Sequence, residues 1–154
     1  MIRVKKKRII ITFFTVVLLL LGLSALSFAA TKADLLNGKK IIYIPVDDRP
    51  VCYDYVNDTF KGLPVKVVVP PKEWISHRTE PAKLNKVWTW LEKEALKADV
   101  LVVSADAMIY GGLVPSRRHE LSSQTITERL EKFKKLKQIN PRLQIYVFTT
   151  IMRT

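Results

Sequence analysis

Two short stretches of this 154-residue chain concentrate the side chains that can do chemistry. The first is Asp47-Asp48-Arg49-Pro50, two carboxylates and a guanidinium directly after an apolar run. One carboxylate can act as general acid, general base or metal ligand while Arg49 holds an anionic group bidentately. Neighbouring residues on an extended segment point to opposite sides, so Asp47 and Asp48 face one substrate together only if the chain turns there. The plainer reading pairs Asp47 with Arg49 and lets Asp48 cap a short helix. The second stretch holds Ser104, Asp106, Tyr110, Gly111, Gly112, Ser116 and Arg117. Here Asp106 is a candidate catalytic carboxylate and Tyr110 a donor or stacking surface, while the glycines allow positive φ and close backbone approach to a ligand. The plainer reading is a Gly-Gly turn whose backbone donors Asp106 satisfies.

These residues need elements to hold them. Val100 to Val103 is an unbroken, β-branched apolar run, the pattern of a strand buried on both faces of a parallel sheet. In such sheets and barrels ligands sit outside the carboxyl ends of the strands, which is where both stretches fall. Further strands are predicted at Lys40–Val46, Val65–Val69 and Arg142–Thr150. Helices are predicted at Val51–Phe60, at Pro81–Lys97 with Leu84, Val87, Leu91 and Leu96 facing the sheet, and from a capping box at Thr125–Glu128 to Ile139. On the last helix Ile126, Leu130, Phe133 and Leu136 share one side.

The order predicts an α/β fold with a parallel four-stranded βαβ sheet. It reads as the first half of a TIM-barrel-like (β/α) domain; the alternative is a small open Rossmann-like sheet. If the strands run side by side, some of Arg49, Arg117, Arg118 and Arg153 share one rim, which favours a substrate bearing carboxylate, sulfate or phosphate; for Arg118 the plainer reading is a solvated surface residue. The chain ends just past the fourth strand, leaving an apolar edge of the kind proteins usually cover. The expectation is the front part of a longer protein, or one that needs a partner.

The amino terminus carries Arg3, Lys5, Lys6, Lys7 and Arg8, then an apolar run from Ile9 to Leu23 and small residues to Ala30. That is the layout of a secretory signal cleaved after Ala29, with an uncleaved membrane anchor over residues 9–30 as the alternative. Residues 30–39 read as a linker and 40–154 as the α/β domain. Cleavage takes the formal charge from +12 to +7. The lysines at 132, 134, 135 and 137 read as the solvated face of a helix, and an exported chain without a recognition module is not expected to bind nucleic acid. The single cysteine, Cys52, allows no intrachain disulfide and reads as a small buried residue near a strand end. His77 and His119 have no metal-ligand spacing with it, and no cofactor is predicted. Neither a Gly-x-Ser-x-Gly elbow nor a phosphate loop occurs. Trp74 and His77 lie in the loop after the second strand, where Trp74 is expected to rest against a helix; Trp88 is expected in the core.

The segments IYIPVDDRPVCYDY, VVVP, ADVLVVSADAMIYGGLVPSR and VFTTIMRT resemble the amino-terminal part of a bacterial family catalogued as domain of unknown function 4127. Its motifs are Ile-Pro-Leu-Asp-x-Arg-Pro-like and Asp-Met-x-x-Tyr-Gly-Gly-Leu-x-x-Ser-Arg-like; this chain has Val46 in the first and Ala107 before Met108 in the second. The resemblance covers Lys40 to Thr154 and implies that Asp47, Asp48, Arg49, Asp106, Tyr110, Gly111, Gly112, Ser116, Arg117 and Arg153 belong to recurring motifs. It carries no reaction with it. It also implies a longer protein, since members are several times the length of this mature segment.

The residues themselves suggest an exported hydrolase of saccharides or envelope glycan, with Asp106 and one of Asp47 or Asp48 sharing acid, base or nucleophile roles. The alternatives are a non-catalytic module capturing an anionic envelope polymer, and a truncated product without independent function. Contact with a membrane is expected only through the amino-terminal segment, if it is retained.

Overall fold

The structure, a computed structural model, describes residues 36–151, and the fold below is that of the unit beginning at Gly38. The signal or anchor segment and most of the linker lie outside the described residues, as does Arg153. Four parallel strands form one sheet: β1 (Lys39–Ile44), β2 (Val65–Val68), β3 (Val100–Ser104) and β4 (Gln144–Phe148), in the order β2-β1-β3-β4. The helices are α1 (Asp54–Thr59), α2 (Leu84–Ala95), α3 (Pro115–Arg118) and α4 (Ser123–Ile139).

The strand order decides between the two architectures. An eight-stranded barrel would place β2 between β1 and β3, whereas here β1 pairs with both. The half-barrel expectation therefore gives way to the open, doubly wound arrangement. In that order the chain leaves β1 toward one edge and later returns to add β3 on the other side, which makes the carboxyl ends of β1 and β3 a topological switch point. Sequence alone could not choose, because both architectures share the alternation of strands and helices.

One face of the sheet is sealed. Ile42, Ile44, Leu101 and Val103 are fully buried and pack with Val87, Trp88, Leu91 and Ala95 of α2 and Leu136 of α4. Trp88 meets Phe133 edge to face at 5.0 Å, joining the two helices. Leu96, expected inside, is 59% exposed, because Ala95 takes the inward position in the last turn of α2. Leu130 is likewise half exposed. Of the four lysines expected on the solvated face of α4, Lys132 sits over the Trp88 ring and Lys135 reaches Glu92 of α2. Along β4, Tyr146 and Val147 stay exposed on opposite faces.

Helix starts differ from expectation in two places. Ser122, not Thr125, caps α4: its backbone is extended and its Oγ accepts from the Thr125 N–H at 3.2 Å. Helix α2 begins at Leu84, three residues after Pro81, because residues 75–82 are committed to loop contacts described next.

Candidate functional site

Three loops meet at the carboxyl end of the sheet, and backbone bonds lock them together. The Asp48 N–H after β1 donates to the Ser76 carbonyl after β2 at 3.0 Å, and the Ala82 N–H donates to the Gly111 carbonyl after β3 at 2.8 Å. Gly112 presses against the same loop: a Cβ there would lie 2.3 Å from both Cβ and Oγ of Ser76, and its φ of +141° suits glycine. The close approach expected of the Gly-Gly pair is thus made to the protein's own second loop. Segment 75–82 is the wedge that brings the two motifs together.

After β3 the chain makes a single π-type turn, Asp106–Tyr110, closed by Gly111 at φ +95°. Such turns recur at functional sites. Ser104 is fully buried and its Oγ accepts from the Ala107 N–H. Asp106 is 5% exposed, and its Oδ2 takes three bonds from the end of β4: Thr150 N–H at 2.9 Å, Thr150 Oγ1–H at 3.1 Å and Thr149 Oγ1–H at 3.2 Å. Instead of satisfying local donors, Asp106 straps β3 to β4 across 44 residues of sequence.

The consecutive aspartates diverge. Asp47 turns inward, 5% exposed, and accepts from Arg49 Nε at 2.8 Å and Nη2 at 2.7 Å, with the Arg49 N–H on its other oxygen. Burial pushes the Asp47 pKa up, but bonds from Arg49 and the Cys52 thiol, with the guanidinium's charge, outweigh it and hold the carboxyl below its ordinary value. Asp47 is therefore an anion at neutral pH. Burial and the adjacent Asp47 push the Cys52 thiol above its ordinary value, which favours the protonated form. Asp48 points the other way. Its Oδ2 lies 2.6 Å from Nδ1 of His77, beside a hollow of about 430 Å³ that both residues line with Lys72, Glu73 and Glu80. Asp48 does not cap α1, which begins only at Asp54.

Tyr110 stacks on His119 at 4.4 Å, and Ser116 is buried with its hydroxyl donating to the Leu113 carbonyl, a structural duty at the start of α3. Arg117 and Arg118 are exposed at the end of α3. Among the described residues no group of three or more His, Cys, Asp or Glu side chains is arranged to hold a metal ion, and no helix is long and apolar enough to cross a membrane.

The structure thus places Asp47, Asp48, Asp106, Gly111 and Gly112 at one end of the sheet, flanking the switch point. His77 is the residue that sequence reasoning passed over. It stands 29 positions from Asp48, and only the packing of two loops joins them.

The family model for proteins of unknown function DUF4127 matches residues 41–154, most of the chain and all of both motifs. The chain belongs to the DUF4127 family. No curated protein and no solved structure matches it. The matched residues include all three of the loops that interlock at the switch point.

Proposed function

We propose that this DUF4127 protein is a hydrolase of envelope glycans whose acid–base pair is Asp48 and His77. The observation that carries the reading is the 2.6 Å contact between Asp48 Oδ2 and His77 Nδ1 at the edge of a solvent-open hollow. A carboxylate on Nδ1–H aims Nε2 at the solvent and stabilises the imidazolium. As imidazolium, His77 donates its Nε2 proton to the leaving oxygen while the glycosidic C–O bond breaks, and the neutral Nε2 then takes a proton from the water that adds to the sugar carbon. Arg49, its guanidinium oriented by Asp47 yet largely exposed, is positioned to hold an anionic group on the substrate. The signal-like leader in the sequence supports an envelope substrate.

Turnover of a panel of cell-wall saccharides by the full chain, with and without His77→Gln, tests this. The expected loss is about 10²- to 10⁴-fold in kcat/KM. Unchanged turnover in the variant removes the dyad from the reaction, and a wild-type chain inert on every glycan overturns the substrate class. A second reading, capture of an anionic polymer, is supported by Arg49, Arg117 and Arg118 standing exposed beyond the strand ends. Salt-sensitive polymer binding that survives His77→Gln, without turnover, would favour it.

A further inference from the structure

A second and larger cavity adjoins the dyad's hollow. Pro81 and Lys83 line both, and beyond them a cleft of about 710 Å³ opens between residues 79–86 and residues 110–129. Its volume suits a small organic ligand, for which sites of roughly 300–1,000 Å³ are usual.

The lining has two parts. Leu84, Val114, Pro115 and Leu121 supply an apolar surface, and the stacked Tyr110–His119 pair adds to it. Lys83, Lys86, Arg118 and Arg129 supply positive charge, against Glu120 as the one acidic lining residue. Among the described residues none of the cleft's four cations lies within 4.0 Å of a carboxylate. Two are nevertheless held in place: Arg129 donates to the Ile109 carbonyl, and Lys86 lies 5.8 Å from the centre of the Trp74 ring. Four cations against one carboxylate around an apolar surface are complementary to an anion that brings its own apolar body.

We infer that this cleft binds a small amphipathic anion, an apolar body of a few carbons or one ring carrying a carboxylate or phosphate. The inference uses neither Asp48 nor His77 and stands apart from the hydrolase reading. It differs from polymer capture as well, since the apolar surface demands a partner that is more than charge.

Calorimetric titration of the full chain at low salt tests it, using octanoate, octyl phosphate, octyl glucoside and inorganic phosphate, all kept below micelle formation. Octanoate or octyl phosphate should bind one to one, at least about tenfold more tightly than octyl glucoside or inorganic phosphate, one charge-assisted contact being worth about that factor. A preference between the two anions names the head group. The double variant Lys86→Gln/Arg118→Gln, both positions exposed, should weaken anion binding by about tenfold or more while leaving the thermal midpoint and the octyl glucoside signal unchanged. Equal affinity for octyl phosphate and octyl glucoside would mean an unselective apolar surface and overturn the inference. So would anion binding indifferent to the double variant, or no binding at all.

Discussion

Asp106 and Asp48 both leave the carboxyl end of a central strand, yet the fold uses them in opposite ways. Asp106 is shut in, one oxygen carrying three donors from the end of β4. Asp48 sits at the edge of a hollow and meets a single imidazole that is itself exposed. A carboxylate whose partners are backbone and hydroxyl groups of its own scaffold holds geometry. One whose partner carries a titratable proton into solvent can move that proton. On the proposed reading, equal residue types at equivalent positions are sorted into frame and chemistry by what lies across from them, and Asp47, tied to Arg49, goes with the frame.

The comparison breaks most completely if the wedge between the loops is displaced. Gly112→Ala puts a methyl group 2.3 Å from Ser76 at a backbone angle that favours glycine. The expected loss is roughly 3 kcal/mol, from overpacking and backbone strain together, read as a lower denaturation midpoint. Because Ser76 precedes His77, the dyad should fail with it. Next comes Asp106→Ala, which strips three donors of their shared acceptor and should cost about 2–3 kcal/mol by urea denaturation. The exposed His77→Gln, in contrast, should stay within about 0.5 kcal/mol of wild type. An Asp106→Asn variant of full stability that has lost turnover would move Asp106 from frame to chemistry and erase the distinction.

Much of the frame was legible in advance. The run at 100–103 declared a strand, although only Leu101 and Val103 of it are fully buried while Val100 and Val102 on the other face are half-buried, and Val87, Trp88 and Leu91 sit inside as their helical spacing required. Strand order was not legible, because whether β1 or β2 lies beside β3 depends on which helix faces pack, and both patterns are apolar. The start of α4 was ambiguous for a local reason. Ser122-x-x-Thr125 and Thr125-x-x-Glu128 both have the form of a cap, and only the extended backbone at Ser122 separates them. Within the site, Asp47–Arg49 could be anticipated from a spacing of two. The Asp106–Thr150 strap and the Asp48–His77 contact could not, since each joins loops 44 and 29 residues apart in the chain.

The smallest effect expected within the frame itself sharpens the comparison. Since Arg49 and Cys52 hold the Asp47 carboxyl below the ordinary 3.8, the folded state binds its proton less readily than the unfolded chain does. That contribution is complete above the unfolded value and is lost as pH falls through the folded one. Asp47→Asn should therefore cost only about 1 kcal/mol at neutral pH, because the Arg49 side of the pair is largely open to water. The penalty should shrink as pH drops below about 4, where Asp47 of the unfolded chain takes up its proton before the folded one does. Urea titrations of both proteins between neutrality and pH 3 would show the two stability curves converging. Curves that stay parallel would mean Asp47 is not held as an anion by its neighbours, and the grouping of Asp47 with Asp106 would then fail.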